Sequence, residues 1–408
     1  MTILYIFTSA GLSSSSVQNK VINQIQALNH NGVNCKGLFF TTDEVNPENQ
    51  EDELKNYKFI HVPKVYDKYF KSLKKRNLCH KKIYEYLEAK QPIFDLIYFR
   101  YDNAGSYLSK LVNKYQYKFF FEHVTSETEE IKLYKLENPL RLNLSSLLGN
   151  MEYLWLPLLR EKIWGKQIRK DALFGICNSS DIARYEIQMA GGRYRTFIGG
   201  DAVKTAEYQL RKDIPILEKE FKMIFLKGAS TAADFNGLDR LFNGIKNYEG
   251  SFDIKLYLHG KNLQSEIKMI QEMGIGNQVV TGEFIQKNDT EILMQQMHLG
   301  ISAMGLHRKG IKGTTTIKAR EYFARGIPFI FGHADPDISA SEEAMKYCME
   351  FDADDKAIDI EKVINWYLKL NNYPDYPSKM RDFAQKHLDY DVKMCKLKNY
   401  IEEVTQLS

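Results

Sequence analysis

The chain has 408 residues, 44% of them hydrophobic and 26% charged, enough for two domains and too apolar for general disorder. A formal net charge of +4 with pI near 8.5 lacks the basic excess of a nucleic-acid binder. Its five scattered cysteines fit neither a metal site nor a disulfide framework, and no apolar run reaches the roughly 18 residues of a spanning helix.

The N-terminus has no basic region and turns polar at Thr8, so it reads as a strand over 3–8 and not as a signal peptide. A small-residue loop, SAGLSSSS (9–16), follows. Val17, Val21, Ile25 and Leu28 then share one helical face, and Gly32 supplies a stop. Between Lys55 and Glu85 ten cations face two anions, interleaved with Tyr57, Phe59, Tyr66, Tyr69, Phe70 and Tyr84. Such a segment suits an anionic membrane surface or a phosphate-bearing ligand, and equally a solvated basic helix. Strands are predicted at 94–101, 117–124 and 172–179, after one at 33–40, with a helix from Asp181. In residues 142–170 Leu147, Met151, Leu154 and Leu158 share a helical face, which predicts core packing in preference to a lipid contact.

The strand-loop-helix pattern then restarts, with a strand running into a small-residue loop over 221–230, strands at 252–260, 277–284 and 299–305 and helices at 236–248, 263–274 and 290–297. Two doubly wound parallel α/β units in tandem are expected, joined within 199–215. Ligands of such sheets bind beyond the carboxyl ends of the strands. That places loops 9–16, 123–127, 228–235 and 305–316 on the rims of an expected interdomain cleft.

Several chemistries are excluded. No GxGxxG follows the first strand, and GxxxxGK[ST], GxSxG and HExxH are missing. Asp352, Asp354 and Asp355 read as a loop and helix cap, not a metal triplet.

The stretch GTTTIKAREYFARGIPFIFG (313–332) carries the chemistry. Thr314, Thr315 and Thr316 precede a helix whose first turn offers unpaired amides and partial positive charge, suited to a diphosphate. Lys318 adds a formal charge there, and Glu321, one turn on, can accept two hydrogen bonds from a ribose diol. The plain alternative is an amphipathic helix whose Glu321 is solvated or paired with Lys318 or Arg325.

This stretch resembles the donor-site helix of GT-B glycosyltransferases of the retaining family 4 type, with their pattern of roughly Glu-x7-Glu, small residues, Gly-x-Pro and a strand. GLSSSS, FEHV, FIGGDAV, FNGLDRLFNGI, LYLHGK, VVTGEF and GISAMGLHRKG resemble the family's other segments in the same order. The resemblance implies a GT-B architecture of two Rossmann-like domains, 1–205 for the acceptor and 206–379 for the nucleotide-sugar, with helix 380–408 packing back on the first. It implies that Glu321 binds the ribose, that His123 contacts the transferred sugar or acceptor, and that Gly11, Ser13 and Ser14 form an acceptor and phosphate loop. Gly228 and Ser230 join the donor site through the loop after the first strand of the second domain. The first glutamate of the pair falls on Gly313, and two cationic positions of the family fall on Ala229 and Asn236. Lys227, Arg308, Lys309, Lys312 or Lys318 could supply that charge.

The resulting expectation is a retaining hexosyltransferase of cell-surface polysaccharide biosynthesis, moving a sugar from a nucleoside-diphosphate donor to a glycan or lipid-linked acceptor. No cofactor or metal is expected, and no nucleic-acid partner. The expected location is the cytoplasm, with peripheral contact to the inner face of an anionic membrane through 55–82. A nucleotide-sugar epimerase on the same fold is one alternative. A non-catalytic relative, motivated by Gly313, Ala229 and Asn236, is the other.

Overall fold

The computed structural model describes residues 1–10, 16–43, 56–66, 71–90, 92–136, 151–228, 234–283, 285 and 287–406. The chain forms two compact units, Met1–Gly199 together with Lys393–Ser408, and Gly200–Val392.

In the first unit, strands β1 (Thr2–Ala10), β2 (Asn34–Thr41), β3 (Tyr57–His61), β4 (Leu96–Arg100), β5 (Phe119–His123), β6 (Phe174–Cys177) and β7 (Thr196–Ile198) form one parallel sheet. Their spatial order is β3-β2-β1-β4-β5-β6-β7. Helices α1 (Ser16–His30), α2 (Lys71–Lys90), α3 (Ser106–Lys114), α4 (Glu127–Leu136), α5 (Leu156–Arg160), α6 (Lys166–Asp171) and α7 (Ser180–Met189) connect them. Both faces of a parallel sheet are covered, so β1 and β5 read as unbroken apolar runs, not alternating ones. On one face Leu4, Ile6, Phe99 and Phe121 pack with Leu108 and Val112 of α3. On the other, the rings of Tyr5, Tyr98, Phe120 and Phe174 stack in a row with centroids 4.0, 4.6 and 4.9 Å apart.

In the second unit, β8 (Glu220–Lys227), β9 (Asp253–Gly260), β10 (Val279–Gly282), β11 (Leu299–Ile301), β12 (Phe329–Phe331) and β13 (Cys348–Glu350) form a parallel sheet ordered β10-β9-β8-β11-β12-β13. Its helices are α8 (Leu238–Lys246), α9 (Gln264–Met273), α10 (Lys287–Gln295), α11 (Ile317–Arg325), α12 (Ile360–Leu370) and α13 (Tyr376–Phe383). The last helix, α14 (Tyr390–Gln406), leads back to the first unit. There Tyr400 lies 5.0 Å from the rings of both Phe174 and Phe197. In each parallel sheet the order of strand addition reverses once, between β1 and β4 and between β8 and β11, and in folds of this kind ligands bind at such a point beyond the strand ends.

Two local expectations are corrected. Residues 57–61 of the basic segment form the edge strand β3, and among its described residues the helix begins at Lys71. Residues 151–171 alternate α turns with π turns at Met151–Trp155 and Glu161–Gly165. The wider turns keep residues four apart on one face. Met151, Trp155, Leu159 and Ile163 are therefore exposed, while Leu154 is buried and Leu158 half-buried; Leu147 lies outside the described residues. The triplet at 352–355 is a loop, as read: Asp354 accepts from Arg240 and Asp355 from Arg308, while Asp359 caps α12 through the Lys362 amide.

Candidate functional site

The second switch point gathers the sequence-predicted donor residues. Ser302, just past β11, and Thr316 share a hydrogen bond of 2.9 Å between their hydroxyls. The Thr315 hydroxyl donates to Asp201 Oδ2 (3.0 Å) and accepts from the Asp201 amide (2.8 Å). The Thr314 amide donates to Ala334 O. Thr316 opens α11 in an extended conformation, and no side chain caps the helix. The first-turn amides thus face the end of the sheet without an intrahelical acceptor.

Lys318 stands in that turn. Its ammonium lies 3.8 Å from the centre of the Phe225 ring of β8, an attraction to the negative face of the ring. Burial pushes the amine down to about 8, against the opposing pull of the Glu321 charge. The other candidate cations are placed differently. Lys227 pairs with Glu266 at 2.6 Å and donates to Asn262 O. Arg308 binds both oxygens of Asp239 and reaches Asp355. Lys309 lies over the Phe235 ring, and Lys312 is exposed.

Gly228 is exposed at the end of β8. Gly11, Ser13, Ser14, Ala229 and Ser230 lie outside the described residues. Gly237, before α8, has φ of 64°, and a Cβ there would stand 2.5 Å from the Met304 carbonyl carbon. The turns that follow β8 and β11 therefore touch at a glycine.

The adjacent charges at 320 and 321 have separate roles. Arg320 is fully buried and binds Asp335 through both terminal nitrogens, Asp337, and the Asp201 carbonyl. Glu321 is partly exposed on another side of α11. Its Oε1 accepts from the Tyr208 hydroxyl (3.1 Å) and its Oε2 from Arg325 (3.2 Å), whose guanidinium also binds Glu291 (2.7 Å). Sequence reading named Arg325 as one partner of Glu321 and missed Tyr208 and Glu291, which arrive from distant segments without a local signal.

His123 ends β5, as expected, but its ring is fully buried. Nδ1 lies 3.3 Å from both Glu127 and Glu186, and Nε2 lies 3.2 Å from the Tyr194 hydroxyl. Both ring nitrogens thus face protein groups. Burial pushes the imidazole down to about 4, so it is neutral near pH 7. Burial likewise pushes Glu127 up, to about 7, and Glu186 up. His123, Glu127 and Glu186 bring ligand atoms within 4.8 Å of one another, a grouping with metal-ligand chemistry. A cation already occupies that position: Arg169 binds Glu186 and Glu161 and comes within 3.6 Å of Glu127. Glu122, on the opposite face of β5, binds Lys20, Gln24 and Arg100 instead.

No family model matches the chain, and no curated protein sequence matches it. Solved structures do. Sucrose-phosphate synthase of Thermosynechococcus elongatus superposes with a TM-score of 0.68 over 100% of both chains at 13% identity. HepE of Anabaena, solved with UDP, gives 0.63 over 99% of this chain and 100% of its own, again at 13% identity. The lipopolysaccharide outer core galactosyltransferase WaaB gives 0.61 over 99% of each chain at 13% identity. What these glycosyltransferases share with the present chain is the GT-B fold.

Proposed function

We propose that the protein is a glycosyltransferase of hexosyltransferase type that carries a sugar from a nucleoside-diphosphate donor to a glycan or lipid-linked acceptor in cell-surface polysaccharide biosynthesis. One observation carries the reading: Lys318, without an ion pair among the described residues, stands in the uncapped first turn of α11 at the switch point of the second sheet. As the glycosidic bond to the diphosphate breaks, negative charge grows on the leaving oxygens. Helix-end amides and the ammonium are fixed in place to receive it. Glu321, held by Tyr208 and Arg325, is set to accept from the ribose hydroxyls. Positive charge of this kind serves the leaving group without a metal ion. Retention at the anomeric carbon follows from the family resemblance. His123 acts through the segment after β5, whose strand end it anchors, and not by touching the sugar.

The proposed location is the cytoplasm, at the inner face of an anionic membrane. The basic segment 55–82 contributes the exposed Lys71 and Lys75 of α2, whose first turn is tied to Glu152 by the Ser72 amide. Beside it Met151 (39% exposed), Tyr153 (58%), Trp155 (60%), Leu159 (49%) and Ile163 (54%) form an apolar stripe, followed by the exposed Lys162, Lys166 and Lys170. An apolar stripe edged by lysines is the composition of an interfacial helix.

A thermal-shift panel of UDP, GDP, ADP and their sugars tests the transferase reading. One nucleotide is expected to stabilise the chain, by about 2.7 kcal/mol at a hundred times its Kd, and to lose that effect in Glu321→Ala. No stabilisation by any of them favours the non-catalytic alternative. Donor consumption without acceptor favours the epimerase.

A further inference from the structure

The first sheet has a switch point of its own, between β1 and β4, and a buried polar cluster lies beside it. Gly105 precedes α3, and no side chain caps that helix. Arg160 of α5 lies against this helix end. Its Nε donates to Ala104 O (2.7 Å) and its Nη1 to Asn77 (2.8 Å). Nη2 has no partner, and a Cβ on Gly105 would collide with it. His80 Nδ1, 3.5 Å from the same Cβ position, is also unpaired, while its Nε2 lies 2.9 Å from Asp102. Asn103, three residues before the first residue of the helix, is buried at φ of 105°, and neither end of its carboxamide has a protein partner. Arg76 of α2 is close enough to affect this group and forms no ion pair among the described residues.

Two cations, Arg160 and Arg76, lie close to one another here. A helix N-terminus repels cations, yet Arg160 sits on one. Burial first, and then the Arg76 charge, push the Arg160 guanidinium down. Two carboxylates, Asp102 and Glu161, border the cluster and pull the Arg160 guanidinium the other way. Asp102 takes His80 and the Thr8 hydroxyl; Glu161 takes Tyr101, the Ala104 amide and Arg169. A buried carboxamide without a protein partner calls for a partner that the protein itself does not supply.

We propose that this cluster is an oxyanion site for the phosphoryl group of an acceptor, with Arg160, Arg76 and the α3 amides taking the charged oxygens and Asn103 and His80 the remaining polar positions. His80 suits this, because a proton on Nε2 toward Asp102 leaves Nδ1 to accept from a P–OH group. The oxyanion chemistry stands by itself, while its assignment to an acceptor rests on the glycosyltransferase reading.

Calorimetry on the full chain carrying Lys318→Met, which removes the donor-side cation, measures binding of inorganic phosphate and of glycerol 3-phosphate. Both are expected to bind, and Arg160→Gln is expected to weaken both by about tenfold or more. Because Arg160 also supports Ala104 and Asn77, Asn103→Gly is the second variant. Glycine accepts the positive φ and removes the unpaired amide, so the melting temperature should stay level or rise. A ligand site adds a loss of phosphate affinity, again about tenfold, which a merely structural role would not produce. No binding by the chain, or binding unchanged in both variants, means that ordered water alone fills the cluster and overturns the proposal. Binding of inorganic phosphate without glycerol 3-phosphate overturns the assignment to an acceptor. Nucleotide stabilisation is recorded separately with Lys318 intact, so its failure removes the transferase reading and leaves the oxyanion site standing.

Discussion

Lys318 lies over the Phe225 ring, with 3.8 Å between the ammonium and the ring centre, and β8 is thereby linked to the first turn of α11. Desolvation in this position brings its proton release to about pH 8, below the usual amine value near 10.4. A diphosphate binds the protonated form. Nucleotide affinity is therefore expected to hold below the shifted pKa and to fall as pH rises through it. Lys318→Arg, charged throughout, should flatten the profile, and Lys318→Met should cost about tenfold or more near neutral pH. Titration calorimetry across about one unit on either side of the pKa checks this. A flat profile in the unmodified chain would detach Lys318 from the diphosphate.

Arg320 and Glu321 are neighbours with opposite expected phenotypes. Removing Arg320 leaves Asp335 buried and uncompensated, so Arg320→Met should lose about 3–5 kcal/mol of stability in denaturant unfolding. Glu321→Ala removes a partly exposed carboxylate and should stay within about 1 kcal/mol in the same assay, because its ion pair with Arg325 is a minor one beside that of Glu291. Nucleotide binding should show the converse, with Glu321→Ala losing it while folded. Equal stability loss in the two variants would contradict this division.

Gly237→Ala tests the contact between the turns after β8 and β11. The methyl group would meet the Met304 backbone, at a backbone angle that L residues rarely adopt. A destabilisation of about 2 kcal/mol or more is expected, together with weaker nucleotide binding as the turns part. Alanine tolerated in both assays would show that the contact does not set the site.

Replacing Trp155, Leu159 and Ile163 together by serine should leave the melting temperature within a few degrees, since all three are exposed. Sedimentation with phosphatidylglycerol vesicles should drop by about tenfold in this variant and should weaken in salt for the unmodified chain. A triple variant that sediments as well as the unmodified chain would exclude the stripe as a lipid contact. Loss of a concentration-dependent dimer instead would assign it to self-association.

The sheets were legible because their inner strands carry their own signal. In β1, β5 and β8 runs of Ile, Phe, Tyr and Leu are bounded by small-residue loops, and any parallel strand covered on both faces looks this way. The edge strand β3 was hidden because Lys58 and His61 dilute a five-residue run inside a longer basic segment. At the candidate donor site the helix end and Glu321 could be read from spacing. Which of two adjacent charges was buried could not, since Asp335 and Asp337 reach Arg320 from the turn after β12. His123 could be placed at a strand end but not oriented, because Tyr194 and Glu186 belong to later elements. The exposed stripe was misread for a geometric reason: a wheel drawn at 3.6 residues per turn turns Met151 inward, and the π turns undo that rotation.

The stacking of Tyr400 on Phe174 and Phe197 bears on the order of assembly. The chain leaves the first unit at Gly199, builds all of the second, and returns only at Lys393. During synthesis the second unit thus has its whole sequence before the first has received its closing helix. An intermediate of synthesis should hold a second unit whose sequence is complete and a first unit whose Phe174 and Phe197 rings still lack Tyr400, a vulnerable interval for proteases and chaperones alike.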